Sequence, residues 1–282
     1  MRYRTDLATE TVAVRGDLTA EDLRKTEEKH GKYRVTRVQI CTERGERLLG
    51  KPQGRYVTVT LPSLPSDTAD SLFPARLIAA ELTALLPPEG PVLVAGLGNP
   101  SLTADSLGPL TAARVVATRD PRLETAVAGL RPTAVTVPDV CGKTGMDAAE
   151  QLRGLCDRLR PVAVIAVDAL AAVSIHHLGK TVQITDVGLA PGSGAGERRC
   201  AVNHRTLGVP VIGIGVPTVV DARCLIADLT GLELSEHHLP TMNVTPQDID
   251  LRVRRAARLL SLGIHAALYP DLPPDRVCAL AE

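Results

Sequence analysis

Tryptophan is absent from this chain, and phenylalanine occurs once in 282 residues. Aromatic residues make up 2% of the sequence, while hydrophobic residues make up 44%. A core of that composition must be filled by Val, Leu, Ile and Ala, which suits buried parallel strands and the helices that cover them. Neither sign of charge is in excess: 32 Lys and Arg balance 32 Asp and Glu, and no basic stripe appears. That argues against nucleic acid as a direct partner. No apolar run reaches the roughly 18 residues that suggest a membrane span. The N-terminal MRYRTDLATET lacks an apolar h-region and does not read as a secretory signal. The six cysteines (Cys41, Cys141, Cys156, Cys200, Cys224 and Cys278) include no CxxC pair. They read as reduced thiols of a cytoplasmic protein rather than as a metal knuckle. Cys200 with His204 remains as a thiol–base candidate resting on spacing alone.

What is present is a change of pattern along the chain. Residues 1–31 are charged and polar. A helix is expected from Thr19, with Thr19 and Asp22 as a capping box and Gly31 as its stop. YRVTRVQICT (33–42) and YVTVTL (56–61) are rich in β-formers and are expected to pair across a polar connection. ARLIAAELTALL (75–86) has the apolar spacing of a helix. From Pro91 onward strand, loop and helix alternate: VLVAGL then PLTAARVVATR; VAVIAVD then an Ala-rich turn; TVQITDV; PVIGIGV then DARCLIADL. That alternation predicts an α/β fold, a three-layer α/β/α sandwich on a mostly parallel or mixed sheet with a β-rich N-terminal subregion. A last helix is expected from Thr245 as N-cap and Pro246 as N1, with Ile249, Val253, Ala256 and Leu260 as its apolar stripe. Its arginines 252, 254, 255 and 258 read as a solvated face or as a surface for an anionic partner.

Two aspartates stand where such a sheet carries out chemistry. Asp105 lies in GLGNPSLTADSLGP, after VLVAGL, and Asp168 follows VAVIAV. The carboxyl ends of parallel strands line one crevice, where ligands bind. Two carboxyls in one crevice can share a proton, one serving as base and the other as acid, with no metal and no covalent nucleophile. Asn99 and Gly98, on the strand-ending loop, are candidates for hydrogen bonds to an oxyanion. The plainer reading of each aspartate is a cap on the following helix.

Other motifs do not complete. GLGNP has Ser101 where a dinucleotide loop needs its third glycine, and Gly142-Lys143-Thr144 has Val137 where a phosphate loop needs its first. Side chains of adjacent histidines, in His176-His177 and in His237-His238, diverge and read as structural or solvated. PGSGAGERR (191–199) is a glycine loop that either covers a groove or lies on the surface.

These segments in series resemble the germination protease family of spore-forming bacteria. The residues that carry the resemblance are RTDLATE (4–10), GLGNPSLTADSLGP (96–109), CGKTG (141–145), IAVDALAAVSI (165–175), ITDVGLAPGSGAGERR (184–199), TLGVPVIGIGVPTVVDA (206–222) and NVTPQDID (243–250). A looser resemblance of GLGN and the following aspartate links the chain to hydrogenase-maturation endopeptidases, whose chemistry would make Asp105, Asp168 and a histidine metal ligands. A non-catalytic α/β binding module is the third reading.

The closer resemblance implies an atypical aspartic endopeptidase that starts the degradation of small acid-soluble spore proteins. Asp105 and Asp168 would be its catalytic acids, with no cofactor and no metal. It implies a homotetramer in the cytoplasm of the forespore and spore core, without a membrane or nucleic-acid partner. It implies a zymogen cut between Asp6 and Leu7, because Asp6-Leu7-Ala8-Thr9-Glu10 fits the acidic–apolar–Ala–small–Glu pattern of the family's cleavage sites. Residues 1–6 would be propeptide. Residues 7–282 would be one protease domain with a β-rich subregion (33–61), a catalytic core (91–230) and a C-terminal helix (245–268). The chain departs from the family at Ala104, where Pro is usual, and at Val173, where Arg is frequent.

Overall fold

The structure, a computed structural model, describes residues 5–13, 18–119, 130–190, 200–231 and 242–273. After a short helix α1 (Ala8–Ala13), strands β1 (Leu23–His30), β2 (Tyr33–Ile40) and β3 (Gly54–Thr60) form an antiparallel meander, with helix α2 (Glu43–Leu49) between the last two. Helix α3 (Thr68–Thr83) leads to β4 (Val92–Gly96) and the short helix α4 (Leu107–Ala112). Then come β5 (Thr133–Thr136), α5 (Cys141–Thr144), α6 (Ala148–Leu159), β6 (Ala163–Ala172) and β7 (Thr181–Thr185). Helix α7 (His204–Leu207), β8 (Val211–Asp221), α8 (Ala222–Thr230), β9 (Asn243–Val244) and α9 (Ile249–Leu268) complete the chain.

The strands form one mixed sheet in the order β1-β2-β3-β7-β8-β6-β4-β5, with β9 added to β8. Strands β8, β6, β4 and β5 are mutually parallel, and β7 joins them antiparallel to both β8 and β3. The β-rich N-terminal region is therefore continuous with the parallel half. Side chains of β4 alternate between two cores. Val92 and Val94 pack with α3 and α9, while Leu93 and Ala95 pack with Ala149, Leu152 and Cys156 of α6. Burial on both faces explains why the parallel strands read as unbroken apolar runs. The three-layer α/β/α arrangement is the one expected. Among the described residues no helix is long and apolar enough to cross a membrane.

Four expectations need correction. Leu23–His30 is a strand, not part of a helix from Thr19. Thr19 does donate to Asp22, at 2.8 Å from its hydroxyl, but Asp22 also accepts from Thr42 and closes a turn onto α2. No apolar stripe favours a helix there, and β2 offers a full antiparallel ladder with ion pairs such as Arg37–Glu28 at 2.8 Å. The Ala-rich turn after Asp168 is absent, because β6 continues to Ala172 opposite Val220 of β8. Asp168 is consequently the sixth residue of a ten-residue strand. The helix expected over 109–119 starts two residues earlier and stops early, as Leu107–Ala112. The C-terminal helix begins at Ile249, with Asp248 as its N-cap, three residues later than Thr245-Pro246 implied.

Candidate active site

Strands β4 and β6 run side by side in register, with Gly96 opposite Val167. One step further, Leu97 N–H donates to the Val167 carbonyl at 2.7 Å, so the β4 loop leaves the sheet beside Asp168. That loop winds into a 3-10 turn, Thr103–Asp105, closed by Leu102 N–H to Asn99 O at 3.0 Å and Asp105 N–H to Leu102 O at 2.8 Å. The turn packs against both β6 and β8. Asp105 thus lies over the strand that carries Asp168.

Neither aspartate acts as a helix cap. Asp105 turns back into its own loop, its Oδ2 accepting from Asn99 N–H at 2.7 Å. Helix α4 takes Ser106 as its N-cap residue. Asp168 Oδ1 accepts from Ala169 N–H at 2.9 Å within the strand. Asp168 is 5% exposed and Asp105 is half-buried. A carboxylate inside a sheet is costly to desolvate, and one so placed is retained for chemistry more readily than for packing.

Gly98 makes the loop possible. Its φ is +112°, and a β-carbon there would lie 2.1 Å from the Asp105 carbonyl oxygen. Any side chain would push Asp105 away. Of the two oxyanion candidates, Asn99 spends its backbone N–H on Asp105 and so orients that carboxylate. Its side-chain Oδ1 accepts from Ser101 N–H at 3.0 Å and lies 3.5 Å from Lys143 Nζ.

Lys143 was not foreseen as a site residue. Helix α5 carries its ammonium over the Asp105 loop, 3.3 Å from Ser101 Oγ and 3.5 Å from Asp139 Oδ1. The signal was present in GKT, set aside once the phosphate-loop spacing failed. Leu102, Val137 and Met146, all exposed apolar residues, are borne on the loops and strand ends of this same region.

A second cluster lies past Asp168. Glu10, from α1, sits against the end of β6 with its Oε1 2.6 Å from His177 Nδ1. Burial alone would raise its pKa. The bonds from His177, the Ser174 and Val173 N–H groups and Thr5 outweigh that and hold it below the usual carboxylate range. His177 is held by this hydrogen bond to Glu10, the structural one of its two readings. The half-buried Lys51 donates from its ammonium to the Thr5 carbonyl at 2.9 Å. Burial lowers its pKa, against the opposing fields of Asp6 and Glu10.

Among the described residues no group of three His, Cys, Asp or Glu side chains could hold a metal ion. The glycine loop 191–199, His237, His238 and Cys278 lie outside the described residues.

The family model described as germination protease matches residues 5–239. A germination protease from Caldanaerobacter subterraneus is 36% identical and covers 95% of this chain and 95% of that protein. One from Oceanobacillus iheyensis is 36% identical over 90% of this chain and 76% of that protein. A solved [NiFe] hydrogenase maturation protease from Thermococcus kodakarensis superposes with a TM-score of 0.36 at 16% identity, covering 64% of this chain and 96% of its own.

Proposed function

The chain belongs to the germination protease family and is a peptidase, and from that premise we propose an endopeptidase with an atypical aspartic mechanism. The observation that supports it best is that the loop bearing Asp105 leaves β4 beside the strand bearing Asp168, where Leu97 N–H bonds the Val167 carbonyl.

In this mechanism the two carboxyls hold one proton between them. The ionised one takes a proton from water, whose oxygen attacks the peptide carbonyl. The protonated one donates a hydrogen bond to that carbonyl oxygen. Collapse of the tetrahedral intermediate breaks the C–N bond, and the leaving nitrogen takes the proton that the base had removed from water, which restores the singly protonated pair. The products are a carboxylate and a free amine. The pair titrates as a unit, so neither residue is fixed as acid or base. Gly98 N–H and the Asn99 side-chain amide are the candidates for holding the developing oxyanion.

We propose as substrates the small acid-soluble proteins of the spore, in the cytoplasm of the forespore and spore core. We further propose that the chain is made as a zymogen that cuts itself between Asp6 and Leu7 and that it works as a homotetramer. The chain's own Asp6-Leu7-Ala8-Thr9-Glu10 supports the substrate pattern. The test is to incubate the purified chain with a peptide containing Glu-Ile-Ala-Ser-Glu and identify the scissile bond by mass. Cleavage between Glu and Ile supports the reading, and no cleavage of this peptide or of a spore protein sinks it.

A further inference from the structure

Residues 5–10 run along the far end of β6. Asp6 N–H donates to the Ala171 carbonyl at 3.0 Å, and Ala171 N–H donates back to Asp6 Oδ2 at 2.8 Å. Four residues on, the Glu10 carboxylate accepts from Val173 N–H at 2.9 Å and Ser174 N–H at 3.0 Å, beside His177. Thr5 Oγ1 donates to the same carboxylate. Between these two anchors Leu7 and Ala8 are 0% and 1% exposed. Ala8 packs with Val38, Ile40, Leu49 and Tyr56.

We infer that the end of β6 is a peptide-binding groove, separate from the aspartate crevice, which takes a carboxylate–apolar–Ala–x–Glu segment, and that the chain's own Asp6–Glu10 fills it. Each position of the segment has its reader. Ala171 N–H takes the first carboxylate. Leu7 is fully enclosed, and Ala8 is closed in by Val38, Ile40, Leu49 and Tyr56. Thr9, half-buried, is not selected. Two successive backbone N–H groups and an imidazole take the Glu10 carboxylate, a charge-assisted arrangement stronger than neutral hydrogen bonds. Lys51 supplies a cation beside both carboxylates.

The groove has a consequence for self-processing, which rests on the reading of Asp105 and Asp168 as the catalytic pair. Ala171 stands three residues past Asp168, roughly 10 Å along a strand. The segment then proceeds from Ala171 toward Ser174, away from Asp168. General-base catalysis needs contact at about 3 Å, directly or through one water. The Asp6–Leu7 bond is therefore withheld from the dyad of its own chain while the segment is docked. It must leave the groove before it is cut, and the fraction of undocked molecules scales the rate.

His177→Ala and Lys51→Met, made separately in the full chain, test this. Both lie outside residues 1–10 and leave the cleaved sequence intact. Hydrogen exchange at the amides of residues 6–10 reports undocking. Intact mass reports the appearance of a Leu7 N-terminus. The expected result is protected amides in the unaltered chain, exchange about tenfold faster in each variant, and self-processing accelerated in proportion. Unprotected amides in the unaltered chain overturn the groove. So does exchange that neither variant accelerates, or faster exchange with processing unchanged or slower. Absence of any cleavage by the unaltered chain, of itself or of an added peptide, is instead a failure of the proposed activity. The exchange measurement then decides the groove alone.

Discussion

Gly215 on β8 is the register partner of Asp168 on β6, and a β-carbon on it would lie 2.3 Å from the Asp168 carbonyl oxygen. The same carbon would meet Leu170 Cγ at 2.8 Å. A side chain at this position therefore displaces β6 at the residue that the proposed chemistry depends on. Gly215→Ala is expected to cost about 1–3 kcal/mol of stability through overpacking. Its loss of activity should be larger, on the order of 10²-fold, because a shift of about 1 Å in a catalytic group has that effect. Urea unfolding beside peptide cleavage by the same preparation separates the two. Full activity at reduced stability would show that the Asp168 position tolerates the shift.

Asp105→Asn and Asp168→Asn each preserve shape while removing a carboxyl that must hold or share the proton. Each is expected to reduce peptide cleavage on the order of 10⁴-fold, as for a member of a catalytic unit. Circular dichroism should remain that of the unaltered chain, since the hydrogen bonds from Asn99 N–H and Ala169 N–H can be accepted by an amide oxygen. Near-native turnover in either variant removes that residue from the mechanism.

Both aspartates stood out as candidates because each follows an apolar run of the kind a buried parallel strand has, and because the flanking segments resemble one family. The Glu10–His177 pair was not, since its members stand 167 residues apart and nothing in their spacing links them. Strand β1 was misread for the opposite reason. Its Glu and Lys residues suit a helix locally, and only the partner strand β2 decides otherwise. Helix α6 did carry a signal, with Ala149, Leu152 and Cys156 at helical spacing on its buried side, but the chain between Arg119 and Val162 was not assigned any element. The continuation of β6 past Asp168 was hidden by its small residues, whose propensity is weak and whose pairing with β8 is long-range.

Reagents distinguish the mechanism from its rivals. Cys156 and Cys224 are buried, and burial pushes the Cys224 thiol up to about 12, so neither is a poised nucleophile. Thiol alkylation at the exposed Cys141 and Cys200, serine-directed acylation and metal chelation are each expected to leave peptide cleavage within about twofold of control, since an aspartic pair depends on none of these groups. Inhibition by a chelator that one added metal reverses would favour the maturation-type chemistry instead.

Self-processing yields a defined product. A chain incubated at about pH 5, where a coupled carboxyl pair is more often singly protonated, is expected to lose residues 1–6 and begin at Leu7. The Asp168→Asn chain should stay full length under the same conditions. Intact mass checks both. A new terminus elsewhere, or cutting by the Asp168→Asn chain, would falsify self-cleavage at this bond.

Acid should also weaken the fold itself, through a buried residue outside the proposed catalytic pair. His265 of α9 is 3% exposed; its Nε2 accepts from Val116 N–H at 3.0 Å and its ring stacks on Tyr269 at 6.0 Å. An acceptor at Nε2 places the ring proton on Nδ1, so the imidazole is held neutral. Burial pushes its pKa down from 6.5 to about 4. The sign follows from proton counts. Above the unfolded pKa both states carry neutral His265 and the full stability is present. Between that value and the folded pKa the unfolded chain binds a proton that the native one refuses, so stability falls with pH. Below the folded pKa both are protonated and the loss stops, at about 3 kcal/mol for a shift of this size. His265→Gln keeps an acceptor for Val116 N–H and cannot titrate. Urea midpoints measured at several values between about pH 7 and 4.5 should fall more steeply for the unaltered chain than for this variant. Parallel slopes would mean that His265 takes up its proton equally well in the folded core.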